Sequence, residues 1–516
     1  MPGINQRKNY TDLNKRLDKY CIAVNSLFTR CNEQAARIAL STGYSVESGV
    51  PFLFSDFPLT KARIDKAMGS YARDMEQLIT SGMRKEWNRS NDIQDRFADS
   101  NIKYYYNKKD GVRSREYYKR NENALDAFMK RKDGGMNLSE KIWNISQNYK
   151  TGIEKTISVA LERGTDAKTL AKQLTKYLKN TKEVTREYKR LYGVEGKVDN
   201  IDYRAMRLAR SEINMAYRIA ERDRWNQYDF VIGYEIRTNG GAGCKGICEE
   251  LAGAYPRDYF WMGWHPSCRC YEMPILKSLA GHILGESENI NELPENYSEW
   301  IEENKDKILN SKSIPYHVRD NYEQLGNNEI LKRCRYEEYL QMDADPSYID
   351  VHFNPENGGL MGTHVEHNSS GPNEQILIDG HTGKQLEHFC QREIYNNGGK
   401  CILRKEGEIG QDGNALTSLD ADINGKIMDI NSIWTQKEHY RNNIKGKSVQ
   451  AKKWNELKDV EGESNSLCLY FHDPSMYSAE KVFLGLEKAL SISEDVRIFR
   501  HILCVVRGEG MFWFNF

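Results

Sequence analysis

The sequence predicts a multidomain α+β protein, with a mostly α-helical N-terminal half, a small α+β module built on a cysteine and histidine cluster, and an α/β C-terminal domain. Three observations support this prediction. Apolar residues recur at helical spacing near the N-terminus, as Leu13, Leu17 and Val24 illustrate. Four cysteines and a histidine crowd into the short segment from Cys244 to Cys270. From about residue 353 onward, strand-like and helix-like segments alternate.

Length and charge bound the remaining possibilities. The chain has 516 residues, with 74 basic and 74 acidic side chains, so its net charge gives no argument for a polyanionic partner. We divide it into four regions, at 1–140, 141–280, 281–350 and 351–516, the third being a helical connector. No apolar run approaches the roughly 20 residues that cross a bilayer, and no secretory signal opens the chain, so we expect no membrane partner. Eleven cysteines without such a signal favour a reducing compartment such as a bacterial cytoplasm.

The cysteine and histidine cluster predicts a structural metal site. Its members are Cys244, Cys248, His265, Cys268 and Cys270. Zinc prefers four such ligands in a tetrahedron, and the segment between the two groups is long enough to fold back and bring them together. A local thiol cross-link is an alternative, and so is a set of small buried cysteines with no ligand role.

The sequence around this cluster resembles a known family. A helix containing Ala209-Arg210-Ser211-Glu212 is followed by a strand, the Cys-x3-Cys pair, a Gly-Ala-Tyr-Pro turn and the closing His265-Pro-Ser-Cys-Arg-Cys270. This order is similar to the head-morphogenesis domain of tailed-phage minor head proteins related to the F protein of phage Mu, over about residues 140 to 275. The resemblance implies a virion protein that is assembled in the host cytoplasm, contacts portal and capsid proteins near the portal, and helps form the head.

A segment rich in basic and aromatic residues precedes this domain. Between Lys103 and Asp133, lysines and arginines alternate with six aromatic residues: Tyr104, Tyr105, Tyr106, Tyr117, Tyr118 and Phe128. Such a mixture can follow a nucleic-acid backbone while its rings stack on bases, which makes viral DNA a candidate partner. A helical hairpin with half-buried tyrosines and solvated lysines is the favoured alternative.

Glu212 falls on or beside the apolar stripe of its helix, between Ala209 and Ala216. A buried carboxylate is costly without a partner. We therefore expect a structural ion pair with an arginine such as Arg210 or Arg237.

Three acids in the C-terminal region predict a second metal site. Glu387 lies early in a predicted helix, and Asp420 and Asp429 flank a hairpin turn at Asn424-Gly425. Carboxylates on a helix and on two paired strands can converge on one Mg²⁺ or Mn²⁺ ion, which can activate water and neutralise charge on a phosphate. The alternative is that these acids only solvate turns.

A shorter run, His364-Val-Glu366-His367, also contains potential metal ligands. On an extended chain His364 and Glu366 share a face and His367 points away. We expect packing roles for these histidines.

The order of the three acids resembles that of PD-(D/E)xK nucleases, in particular the tRNA-cleaving toxin domains of contact-dependent growth-inhibition systems, over about residues 355 to 516. The resemblance implies that Glu387, Asp420 and Asp429 bind the catalytic metal and that a lysine assists. Asn431 stands where that lysine usually lies. Lys445 or Lys447, on the next element, is then expected to reach the site.

Together these features predict a minor head protein that carries a metal-dependent RNA nuclease of the toxin type, with host tRNA as substrate. The alternative is a purely structural head protein whose C-terminal domain is an inactive nuclease-like or nucleic-acid-binding module. The two interpretations differ in whether a lysine reaches the three acids.

Overall fold

The computed structural model describes residues 4–40, 50–106, 117–133, 135–163, 181–193, 200–239, 246–284, 288–326, 328–367, 376–406, 418–434, 440–457 and 464–515, with residues 169, 174 and 178. The chain divides into two compact units, Met1–Pro294 and Glu295–Phe516. The first is largely helical and the second contains the main sheet, which confirms the mixed α/β fold class with its helical N-terminal half. In the described part of the chain, no helix combines the length and apolarity that crossing a bilayer requires.

Six helices make up most of the first unit. They are α1 (Gln6–Leu40), α2 (Pro58–Tyr106), α3 (Glu122–Lys130), α4 (Leu138–Glu162), α5 (Thr181–Tyr192) and α6 (Ile201–Asn226). Helix α6 packs against both α1 and α2. The predicted N-terminal stripe is confirmed, because Leu13, Leu17 and Val24 are fully buried. Burial of these apolar faces stabilises helices that the charge-rich sequence alone would hold weakly.

A small antiparallel sheet follows α6. Its strands are β1 (Val231–Arg237), β2 (Gly253–Pro256) and β3 (Tyr271–Leu276), and β1 lies in the centre. The one-turn helix α7 (Ile247–Glu250) precedes β2, and α8 (Leu279–Leu284) follows β3. The segment between β2 and β3 carries the second half of the cysteine cluster, so the sheet and α6 together determine its position.

The tyrosines before this domain have structural contacts. Tyr105 and Tyr117 are buried beside Tyr228 and Phe230, and the hydroxyl of Tyr117 donates a hydrogen bond to Asp229 at 2.8 Å. Tyr104, Tyr106 and Tyr118 are partly buried against the same cluster, so these rings pack within the protein. Residues 107–116 of the segment lie outside the described residues.

Glu212 is buried and forms an ion pair, as expected, but its partner differs from the prediction. Its carboxylate lies 2.8 Å from Arg131 and 3.7 Å from Lys141. Arg210 instead binds Asp18 at 2.6 Å. Arg210 lies two residues before Glu212 on the same helix. Because side chains two apart on a helix do not share a face, Arg210 points away from Glu212 and binds Asp18 of α1.

The second unit begins with helices that the sequence assigned to a connector. They are α9 (Glu295–Leu309), α10 (Tyr316–Arg319) and α11 (Asn328–Asp343). Buried Arg335 of α11 donates hydrogen bonds to the carbonyl oxygens of Gly358 and Gly398 and to the side chain of Asn424. These contacts bind α11 to the β-sheet of the same unit.

An eight-stranded mixed sheet forms the centre of the second unit. Its strands are β4 (Tyr348–Phe353), β5 (Leu360–His364), β8 (Lys400–Leu403), β9 (Ala421–Ile423), β10 (Lys426–Ser432), β11 (Ser466–Phe471), β12 (His501–Val506) and β13 (Gly510–Asn515). Their order is β13-β12-β11-β10-β9-β8-β5-β4. The pairs β5–β8, β10–β11 and β11–β12 are parallel. A separate short hairpin consists of β6 (Ile376–Ile378) and β7 (His381–Thr382).

Helices cover both faces of this sheet. Helix α12 (Gly383–Asn396) packs on one face through Leu386, Cys390 and Ile394. Helices α13 (Arg441–Leu457) and α14 (Ala479–Ile492) cover the other face. The predicted Asn424-Gly425 turn joins β9 to β10, and both residues have the positive φ angles, 50° and 77°, that such a turn requires. The register pairs Met428 with Ala421, which brings Asp429 beside Asp420.

Candidate functional site

The cysteine and histidine cluster assembles in the first unit. Ligand atoms of Cys248, His265 and Cys268 all lie within 4.8 Å of one another, and Cys248 Sγ is 3.1 Å from His265 Nε2. The Cys270 thiol is in hydrogen-bonding contact with those of Cys248 and Cys268. Three of the five predicted ligands therefore lie together, and the thiol of Cys270 adjoins two of them. Cys244, the fifth, lies outside the described residues.

One face of helix α6 holds the segment that carries these ligands. Fully buried Arg218 donates hydrogen bonds to the carbonyl oxygens of Met262, Cys268 and Cys270, at 2.6, 3.0 and 2.6 Å. Asn214, one turn earlier, donates a hydrogen bond to the carbonyl of Cys268 at 3.0 Å. Because residues four apart share a helix face, these side chains form one row of donors. The row fixes the backbone from which the thiols project.

The electrostatics of the group suit a cation. Hydrogen bonds from the thiols of Cys248 and Cys270 lower the pKa of Cys268, and the positive charge of Arg218 adds to the effect. The same contacts and burial raise the pKa of Cys270. The cysteines that the structure describes are free thiols, so no disulfide joins these three. The two thiols and the imidazole are donors that tetrahedral zinc prefers, and the adjoining Cys270 thiol is the candidate for a fourth ligand.

Two of the three predicted carboxylates of the second unit lie side by side near the middle of the sheet. Asp420 directly precedes β9, and Asp429 lies beside it in β10. Glu387, in the second turn of α12, is near enough to raise the pKa of Asp420 through its charge. The Lys447 ammonium, on α13, is in direct contact with Asp429. Helices on both faces of the sheet thus bring charged side chains, Glu387 from α12 and Lys447 from α13, near the two aspartates.

This group carries more negative than positive charge in a nearly closed site. Asp420 is 9% exposed and Asp429 3% exposed. Burial raises the pKa of Asp420 well above its usual value, and the charges of Asp429 and Glu387 raise it further. Burial would lower the pKa of Lys447, but Asp429 and Asp420 outweigh it and raise the pKa. The two neighbouring aspartates offer oxygen ligands that suit a divalent cation, whereas the carboxylate of Glu387 groups with His367 and Glu406 and not with both aspartates.

The two candidate lysines have different positions on α13. Lys447 points at the acids, whereas Lys445 is exposed and its carbonyl oxygen accepts a hydrogen bond from Ser448. Asn431, in the usual lysine position, accepts a hydrogen bond from Asn443 at 2.8 Å. The nearby cation therefore comes from the helix that covers the strand.

Glu406, which no sequence pattern singled out, lies with His367 beside this group. Ligand atoms of His367, Glu387 and Glu406 come within 4.8 Å of one another. His364 and Glu366, expected to share a face, do not join them, since Glu366 is exposed and pairs with Lys405 at 2.8 Å. His367 is fully buried. The one available signal for Glu406 was its place just beyond the carboxyl end of strand β8.

We compared this chain with known protein families, curated proteins and solved structures. Neither a protein-family model, nor a curated protein, nor a solved structure matches this chain.

Proposed function

We propose that the second unit is a metal-dependent nuclease that cleaves RNA, with transfer RNA as its substrate class. One observation carries the proposal: Asp420 and Asp429 lie side by side with the Lys447 ammonium against Asp429, and the negative charge of Glu387 is near enough to act on Asp420. Three carboxylates and a lysine are what metal-assisted phosphodiester hydrolysis requires. The choice of RNA comes from the resemblance to growth-inhibition toxins.

The chain's own residues would divide the work. Glu387, Asp420 and Asp429 would hold Mg²⁺ or Mn²⁺, which supplies Lewis acidity and lowers the pKa of a bound water. In hydrolysis, a bond forms from the water oxygen to phosphorus, and the bond from phosphorus to the leaving oxygen breaks. That oxygen takes up a proton. The backbone N–H of Ile430 donates to Asp420 Oδ2 at 2.7 Å and so fixes the orientation of this carboxylate.

Lys447 would supply the positive charge that Asn431 cannot. Its side chain is 24% exposed, and its ammonium contacts Asp429. A lysine at this place can orient the attacking water or stabilise charge on the phosphate as it develops. The alternative is an inactive nuclease-like or nucleic-acid-binding module. The two differ in whether cleavage occurs and depends on Lys447.

The experiment is an RNA-cleavage assay with the full chain. Transfer RNA is incubated with Mg²⁺ or Mn²⁺ and with the wild type, Asp429→Asn or Glu366→Gln. Glu366 is a matched control, because it is an exposed acid of the same unit whose carboxylate pairs with Lys405 and stands apart from the three acids. We expect Asp429→Asn to lose at least about 100-fold in rate, in line with the removal of a charge-stabilising group. Equal rates for wild type and Asp429→Asn would refute the nuclease proposal, and cleavage of DNA alone would refute the choice of RNA.

We further propose that the first unit serves in a phage head as a portal-associated morphogenesis protein. The supporting observation is the group of Cys248, His265 and Cys268, with Cys270 adjoining it, in the segment that helix α6 holds and that resembles that family. A structural zinc ion is the expected occupant. Co-purification of the chain with capsids, together with stoichiometric zinc, tests this role. A chain that stays out of assembled heads would contradict it and leave the nuclease proposal intact.

A further inference from the structure

A buried histidine faces a carboxylate beside the group proposed as the nuclease site. His367 Nδ1 lies 2.8 Å from the carbonyl oxygen of Arg404. A carbonyl oxygen only accepts hydrogen bonds, so Nδ1 carries the proton and donates it. In the neutral ring, Nε2 then presents a lone pair. That nitrogen points at Glu387 Oε2, at 3.1 Å. Two acceptors at this distance are held together either by a proton, as in an imidazolium–carboxylate pair, or by a metal ion bound to both.

The distance suits a metal ion. Bonds of about 2.1 Å at right angles place two neighbouring ligand atoms about 3 Å apart. A metal-bound histidine commonly donates its second ring N–H to a backbone carbonyl, which fixes the tautomer and the direction of the free nitrogen. The Arg404 carbonyl has this role toward His367.

Glu406 supplies a third ligand. Its carboxylate is 11% exposed and comes within 4.8 Å of the ligand atoms of His367 and Glu387. One of its oxygens accepts from Lys384 Nζ at 2.7 Å. Lys384 also donates to the backbone carbonyl of His367, at 3.3 Å. The lysine thereby holds the glutamate against the histidine, and the other carboxylate oxygen, Oε1, lies 3.5 Å from His367 Nδ1.

From this geometry we infer that His367, Glu387 and Glu406 form a second divalent-metal site, with Glu387 shared between it and the Asp420–Asp429 group. An imidazole with two carboxylates favours a transition ion such as Mn²⁺ over Mg²⁺. The inference deepens the proposed function and rests on it for the role of the site, but not for its geometry. A second cation next to the first could hold the leaving oxygen while the first holds the nucleophile.

The test is Mn²⁺ binding by the full chain, followed by electron paramagnetic resonance, with zinc already supplied to the thiols. Wild type is expected to bind two Mn²⁺ ions. The His367→Gln and Glu406→Gln variants are expected to bind one, and so is Asp429→Asn. His367 is the one nitrogen donor of the two groups, so pulsed measurements should detect ¹⁴N coupling in wild type and in Asp429→Asn, and none in His367→Gln.

The outcomes separate this inference from the proposed function. An Mn²⁺ ion without ¹⁴N coupling in wild type would overturn the second site, whatever the variants do, and would identify the His367–Glu387 contact as an imidazolium–carboxylate ion pair. A nitrogen-coupled ion in a wild-type chain that cleaves no nucleic acid would support the second site and refute the nuclease. Absence of bound Mn²⁺ would overturn both.

Discussion

The Lys447 ammonium lies in direct contact with the Asp429 carboxylate and so joins helix α13 to strand β10. Asp429 stays buried because of this partner, and the side chain of Gln450 from the next turn of α13 is within 3.5 Å of it. The contact brings a cation to the acids from a covering helix, although the strand carries Asn431 in the expected lysine position. The position of this cation leads to the first prediction.

Lys447→Met should abolish RNA cleavage while Lys445→Met leaves it nearly unchanged. The two lysines lie two residues apart on α13, but only Lys447 contacts the acids, and Lys445 is exposed. We expect a rate loss of about 100-fold or more for Lys447→Met. Circular dichroism checks that both variants fold. Equal rate losses in the two variants would show that the position of Lys447 is irrelevant to the chemistry.

Arg218→Met should release the metal from the first unit and destabilise it. The guanidinium of Arg218 satisfies three carbonyl oxygens around the thiols. Buried hydrogen bonds to a charged group are worth more than neutral ones, so we expect a loss of about 3 kcal/mol in the free energy of unfolding. Zinc content of the purified chain and its thermal midpoint report the two effects. Arg207→Met, at an exposed position of the same helix, is the control. Full zinc content in Arg218→Met would contradict the assigned role.

Glu221→Gln should flatten the dependence of stability on pH. Glu221 is fully buried and accepts hydrogen bonds from Gln6 and Tyr10, at 2.7 and 2.8 Å. Burial raises its pKa from 4.5 to about 8. The folded chain therefore keeps a proton that the unfolded chain releases, so stability is complete below about pH 4.5 and is lost as the pH rises toward 8.

The slope from this one proton cannot exceed about 1.4 kcal/mol per pH unit. Denaturant unfolding at several pH values between 5 and 8 measures it. Wild type should lose stability over this range, and Glu221→Gln should lose less. A variant with the same slope as wild type would show that Glu221 is ionised in the folded chain.

The sequence predicted that Asp420 and Asp429 are neighbours because local geometry determines their position. A turn at Asn424-Gly425 sets the register of its two strands, so Asp420 and Asp429 had to lie side by side. The choice between Lys445 and Lys447 depends on how α13 is rotated against the sheet. That rotation follows from the packing of Ile444 and Ala451 in the core, which the local pattern does not determine.

Other parts of the sites could not be predicted from local patterns. Arg218 is one of several charged residues in the sequence of α6, and only the tertiary structure shows that it is buried against the thiol segment. Glu406 follows β8 in an irregular segment where no periodicity operates. His367 was assigned a face as if the strand continued, but β5 ends at His364 and a turn redirects the side chain. Long-range packing determines all three positions.

The proposed metal-dependent cleavage of RNA depends on Glu387, Asp420 and Asp429. The most direct measurement is the single-turnover rate of transfer-RNA cleavage by the full chain in Mg²⁺, in Mn²⁺ and in EDTA. It is repeated for a variant in which Glu387, Asp420 and Asp429 are changed to their amides. We predict cleavage by the wild type with either metal, none in EDTA, and none by the folded triple variant. Cleavage by the triple variant at the wild-type rate, or no cleavage by the wild type with either metal, would contradict the account.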